Sequence, residues 1–305
     1  MSLIDFILNL VALLLWFNWR TARFDPLAGS TPTTLAGTLR RAGKKTPFKN
    51  YYLLFAIAAL FFLRAAFYWQ IGAAVRWTGT VDVTVVSIPF HSDQFKFKRM
   101  LLFSVYSFGV ALTVFHLWLL LLSILKSTTN NSDSLRQLLR AHLGRVETWP
   151  GWLKAVLPVI ILTPAWWLAS WPLTYAGLLP NPASALNRLQ QSLLVGVGSY
   201  LCWKYLIAGV LGLYFVSSYV YFGRHPFWQH LNGIGRQLLA PLQRLPLRIG
   251  RVDFAPIVGI AMVILFAHVA EHGVKSARYF DKNGVELPRR VEIPGLVDLY
   301  RRTLS

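Results

Sequence analysis

Six apolar runs separated by polar, basic stretches set the pattern of this chain: Leu3–Trp19, Tyr51–Ile71, Met100–Leu125, Leu153–Leu178, Leu193–Phe222 and Phe254–Ala270. A helix that rises about 1.5 Å per residue needs about 20 apolar residues to cross the hydrocarbon core of a bilayer. Each run therefore predicts one spanning helix, the first and last being short enough to need flanking residues. The fourth run holds Pro158, Pro164 and Pro172, which predicts a kink or break whose freed backbone groups are met by neighbouring helices or water. The fifth is long enough to tilt or to extend past the bilayer. Between the second and third runs, Thr80–Val86 nearly alternates as a strand does and predicts an ordered external segment. In Ser134–Glu147, Leu135, Leu138, Leu139 and Leu143 recur at helical spacing, which predicts a helix along the cytoplasmic surface. Asn283-Gly284 predicts a small hairpin in the tail.

One plan occurs twice. An apolar run, a basic Pro-containing loop and a second apolar run make up residues 1–75, a degenerate copy, and again residues 191–272. Residues 76–190 then hold the external segment and a central helix pair, and 273–305 form a polar tail. The fold class this predicts is an all-α polytopic membrane protein with about six spanning helices.

Composition agrees with lipid as the solvent. The 305 residues are 55% hydrophobic and only 14% charged, whereas soluble domains carry about 25% charged residues. The net charge of +19 sits largely in loops 20–49, 126–152 and 223–252. Such clustering beside apolar runs fits the positive-inside rule and attraction to anionic headgroups. It lacks the basic stripe interleaved with aromatics that nucleic acid requires, so no nucleic-acid partner is expected. The three basic loops are expected to be cytoplasmic, which puts both termini outside. The N-terminal residues carry no positive n-region, so the first run reads as a retained spanning helix. Trp16, Trp19, Trp69, Trp77, Trp149, Trp152 and Trp228 are expected at the interfaces.

Ionisable groups inside apolar runs are the candidate chemistry, because charge there is costly and needs a partner or a cavity. They are Arg64, His116, Lys204, His268 and Glu271. Overlaying the two repeats brings Arg64 opposite His268 and predicts an Arg64–Glu271 pair. Lys204 either joins such an interior set or snorkels to the headgroups. His268-Val269-Ala270-Glu271-His272 matches a metallopeptidase pattern, but it ends a membrane helix with no large soluble domain after it. No catalytic, cofactor or metal residue is expected. Gly196, Gly198, Gly209 and Gly212 are expected to admit close helix packing. Cys202 stands alone, so no internal disulfide forms.

In loop 223–252, Phe227, Leu231, Ile234, Leu238, Leu242 and Leu245 form an apolar stripe, flanked by Arg236, Arg244, Arg248 and Arg251. An amphipathic helix of this kind suits a headgroup boundary or a partner surface, and equally a structural belt under the repeat. Asp253 is placed to cap the last spanning helix, with Pro256 in its first turn.

The run Arg236-Gln237-Leu238-Leu239-Ala240-Pro241-Leu242-Gln243-Arg244-Leu245-Pro246, followed by Arg251-Val252-Asp253-Phe254-Ala255-Pro256, resembles the signature of the YggT (YlmG-like) membrane family. In the first repeat Lys49-Asn50-Tyr51-Tyr52 stands where Asp253-Phe254-Ala255-Pro256 would be. The resemblance implies a multi-pass protein of the bacterial inner membrane without established catalysis. Members are associated with osmotic stress, cell-division or nucleoid organisation, and cytochrome b6 assembly in chloroplasts. The function expected is a non-catalytic scaffold or assembly factor that binds anionic lipid headgroups and another membrane protein or complex. The alternative is an ion or small-solute channel or transporter using Arg64, His116, Lys204 and Glu271.

Overall fold

A computed structural model describes residues 3–23, 51–72, 77–90, 97–125, 139–220, 226–242, 247–249, 252–275 and 291–304. The spans follow the apolar runs closely. They begin with α1 (Leu3–Arg23) and α2 (Tyr51–Ile71). Two short strands, β1 (Thr80–Val83) and β2 (Val86–Pro89), precede α3 (Phe97–Ile124). Next come α4 (Gly151–Tyr175), α5 (Ala185–Gly198) and α6 (Trp203–Tyr219), then the amphipathic α7 (Pro226–Leu239). Strands β3 (Arg248–Ile249) and β4 (Val252–Asp253) lead into α8 (Ala255–His272). Strands β5 (Gly273–Lys275) and β6 (Val291–Pro294) and helix α9 (Leu296–Arg302) complete the described chain. Six segments are long and apolar enough to cross a membrane, with α5 and α6 forming one of them. The fold is an all-α polytopic membrane fold with minor sheets.

By contact the chain forms two compact units. Unit one holds residues 1–81, 89–116 and 133–148, and unit two holds 82–88, 117–132 and 149–305, so α3 contributes to both. Within unit one, α1 packs on α2; within unit two, α4 packs on α5, and α6 packs on α7 and α8.

Local differences from the sequence pattern have physical causes. Thr80–Val86 is no single strand: the chain turns at Thr84 and Val85, where Thr84 adopts φ +42°. Its inward residues Val81 and Ile88, with Phe90 after them, are fully buried. Helix α4 runs unbroken through its three prolines. Tyr200 donates its hydroxyl to the carbonyl of Ala155, one turn ahead of Pro158, and Thr174 donates to the carbonyl of Trp171 beside Pro172. The fifth run starts earlier than its apolar residues, at Ala185, where Ser184 caps the helix by accepting from Asn187 N–H at 3.1 Å. It tightens into a 3₁₀ turn at Ser199–Cys202. Trp118 Nε1 donates there to the Cys202 carbonyl (3.2 Å), and Trp203 Nε1 donates to the Leu117 carbonyl (3.1 Å).

The four glycines divide. A side-chain carbon at Gly196 would strike Thr163 of α4, and one at Gly198 would strike Val85, whereas Gly209 and Gly212 face open space. Close approach is thus the role of the first pair only. Trp19 is buried against Trp16, and Trp77 stacks on Tyr68 at 4.3 Å, so these three pack inward; Trp69, Trp149 and Trp152 are exposed. Leu139, Ala141, His142 and Glu147 bury one side of residues 139–148, while Arg140 and Arg145 stay exposed. The part of that predicted helix before Leu139, and the predicted hairpin at Asn283-Gly284, lie outside the described residues. The tail forms a different pairing, β5 against β6 antiparallel, with Gly273 opposite Pro294.

Candidate functional site

Charge inside the spans is organised into two networks, one in each unit. In unit one, α1 places Asp5 and Asn9 one turn apart on the buried face that continues through Ala12. Helix α2 brings Arg64 and Tyr68, again one turn apart, and α3 adds Phe103 and Ser107. Arg64 is 2% exposed. Its Nη2 meets Asp5 Oδ1 at 2.6 Å and donates to Ser107 Oγ at 3.2 Å, while Nη1 donates to Asn9 Oδ1 at 2.9 Å. Asn9 Nδ2 donates to Ser107 Oγ (2.8 Å), and Tyr68 Oη donates to Asp5 Oδ1 (2.7 Å). The guanidinium lies 4.6 Å from the centre of the Phe103 ring, an attraction that gains where water is absent. This shared network neutralises the charge of Arg64 and leaves only its Nε without a hydrogen bond.

The expected Arg64–Glu271 pair is therefore corrected: Arg64 takes Asp5. Asp5 and Asn9 had a visible signal, a carboxylate and an amide at i and i+4 inside an apolar run, yet Asp5 reads in sequence simply as part of the N-terminus.

Unit one also holds a histidine pair. His116 Nδ1 lies 2.8 Å from the Leu112 carbonyl one turn back. His142, 3% exposed, stacks on Phe17 at 4.8 Å and meets Phe115 edge-on at 5.4 Å. Neither of its ring nitrogens has a hydrogen-bond partner. Arg20 Nε donates to the neighbouring Ala141 carbonyl at 3.2 Å. Burial pushes the His142 pKa down to about 4, with the charges of His116 and Arg20 adding to the effect.

In unit two Lys204 Nζ is 2.9 Å from Glu271 Oε2, joining the start of α6 to the end of α8, and lies 5.2 Å from the Tyr205 ring centre. Lys204 is thus ion-paired rather than extended alone to the headgroups. The buried Lys154 donates to Ser123 Oγ at 2.8 Å. His268 and His272 stack on each other at 4.6 Å, both exposed at the end of α8. Among the described residues no group of three His, Cys, Asp or Glu side chains is arranged to hold a metal.

The amphipathic segment faces the core of unit two. Leu231 and Ile234 are buried, Leu242 joins Leu211, Leu239 and Ala255 in one cluster, and Leu238 packs against that cluster. Gly235 lets α7 lie directly on Tyr214. Leu238 and Leu242, expected as lipid or partner contacts, are structural, because the helix turns its stripe toward α6 and α8. Leu239, absent from the predicted stripe, is more buried than either. Phe227 and Arg236 are exposed. Arg244 and Arg251 lie outside the described residues, and for Arg248 the described feature is its backbone pairing with Asp253. Asp253, one residue before the N-cap Phe254, accepts from Ala255 N–H at 2.9 Å through Oδ1, and Pro256 sits in the first turn of α8.

Comparison with family models, with curated proteins and with solved structures returns no match. What fold and site define together is a class: a multi-pass, all-helical membrane protein whose deep charges are held in pairs and hydrogen-bonded networks.

Proposed function

We propose that this chain is a non-catalytic scaffold or assembly factor of a bacterial inner membrane, of the YggT-like type, that engages anionic headgroups and a partner membrane complex. One observation carries the reading. Arg64 and Lys204, charged groups inside the spans, are tied to Asp5 and Glu271 within their own units, while Arg145 and Arg236 are exposed. Charges committed to each other stabilise helix packing; a conduction path needs charges that can exchange partners with a solute. The resemblance of residues 236–256 to the YggT signature, and the capping geometry of Asp253 and Pro256, support the same reading.

The proposed orientation places the basic loops in the cytoplasm. Gln191, near the start of the fifth span, donates to the Thr303 carbonyl at 3.2 Å, and α9 packs on both α5 and α8. The tail and the connection before α5 therefore share one end of unit two. Residues 179–192 there carry only one basic residue, Arg188, which supports a C-terminus outside. The seven basic residues of the tail, offset by four acids and placed last in the chain, count against it less.

Affinity purification in mild detergent tests the function. A stoichiometric membrane complex retained by the wild type is the expected result. Solute or ion flux in reconstituted vesicles that disappears with Arg64→Ala, in a variant whose helix content is unchanged, would replace the scaffold by a conductor.

A further inference from the structure

We propose that the end of α8 is a binding point for a divalent transition-metal ion of square-planar or octahedral preference, held by His268 and His272. These residues are four apart on one helix, which places both imidazoles on the same face. Both are exposed, and they occupy the last turn of the span, with His272 its final residue, so the pair stands at the membrane boundary, where an ion can approach. Their ring centres stand 4.6 Å apart, with the planes 30° from parallel.

That spacing keeps both rings within reach of one ion once each ring turns its lone pair toward it. With metal–nitrogen bonds of about 2.0–2.1 Å and about 1.1 Å from ring nitrogen to ring centre, two imidazoles bound at right angles on one ion stand about 4.5 Å apart. Two imidazoles with the remaining positions open to water suit Cu(II) or Ni(II), which take nitrogen ligands in square-planar or tetragonal geometry. Converging the two lone pairs takes a rotation of each ring with little movement of the helix.

The neighbouring charges permit a cation. Glu271, between the two histidines in sequence, carries a negative charge that Lys204 balances at 2.9 Å. The ion pair also keeps Glu271 out of the ligand set, which leaves two protein ligands and open positions for water. Such a site binds moderately and staples the last turn of α8, directly before the Gly273 that opens β5. It is independent of the scaffold reading and of the metallopeptidase pattern, which requires a third ligand.

The test uses the full chain in detergent, purified without a polyhistidine tag and titrated with Cu(II) alone. One equivalent is expected to bind, with Ni(II) weaker, following the usual order of divalent affinities. His268→Ala and His272→Ala are each expected to weaken Cu(II) binding at least tenfold with helix content unchanged. Electron paramagnetic resonance of the wild-type Cu(II) complex gives a check that needs no variant: coupling to two imidazole nitrogens is the expected signal. No binding by the wild type, equal binding by the His268→Ala/His272→Ala double variant, or a spectrum without two nitrogens overturns the proposal.

Discussion

Arg64 carries its charge where a lone guanidinium would be strongly disfavoured, and the side chains that meet it come from two other helices, α1 and α3. Removing one member of a buried ion pair strands the other, at a cost of about 3–5 kcal/mol, whereas replacing both by apolar groups of similar volume is often neutral or stabilising. Arg64→Met should therefore lower the thermal midpoint in detergent sharply, Asp5→Leu should do the same, and the double variant should recover most of the loss. Equal and additive losses would mean that the pair carries no coupling. Arg64→Lys should rescue little, because one ammonium cannot reach Asp5 Oδ1 and Asn9 Oδ1 with the fork that the guanidinium uses. His142 makes a second residue-scale prediction. Its folded pKa of about 4 lies below the ordinary value of about 6.5, so the unfolded chain binds more protons between those limits. Stability from a neutral, buried His142 is fully present above about pH 6.5 and falls as pH drops toward 4, by on the order of 3 kcal/mol. His142→Phe keeps the stacking on Phe17 and Phe115 and should flatten that part of the stability–pH curve. An unchanged slope would assign the pH dependence to other groups.

At the scale of elements, small residues decide which helices approach. Gly196 lies against the Thr163 hydroxyl of α4, and Gly198 against the Val85 side chain, so an added side chain must displace those short, branched side chains. Gly196→Val and Gly198→Val should each destabilise by about 1–3 kcal/mol, as overpacked sites do. Gly209→Ala and Gly212→Ala, facing open space, should be neutral or slightly stabilising through helix propensity. Unfolding in mixed micelles separates the two pairs; comparable losses at all four sites would remove the packing distinction. Much of this scale was legible beforehand. The strand character of Thr80–Val83, the apolar stripe of α7 and the Asp253–Pro256 entry all depend on neighbours within a few residues, whereas the turn at Thr84 and Val85 was not foreseen. The direction in which the α7 stripe turns was not legible: periodicity shows that a helix has an apolar face, but lipid and a protein core attract that face alike. Leu242 among Leu211, Leu239 and Ala255 settles it by contact.

For the whole molecule, lipid is the solvent. Leu3, Phe6, Leu14, Phe55, Leu63, Ile160, Leu168 and Phe266 are exposed on spanning helices. In water, such a surface would aggregate. The chain should stay with the membrane fraction through an alkaline carbonate wash. In a Cys202→Ser background, a cysteine placed at Thr303 should react with a membrane-impermeant maleimide added outside intact cells. Labelling only after the membrane is opened would reverse the proposed orientation. Sequence alone determined the number and approximate places of the spans, because crossing a bilayer needs only length and apolar composition, which are additive along a chain; their ends, such as the start of the fifth at Ala185, it did not. The partners of the buried charges were decided by tertiary structure. Arg64 chooses Asp5 over Glu271, and Lys204 chooses Glu271, because an ion pair depends on distances of a few ångströms between helices far apart in sequence, and no local pattern encodes those distances.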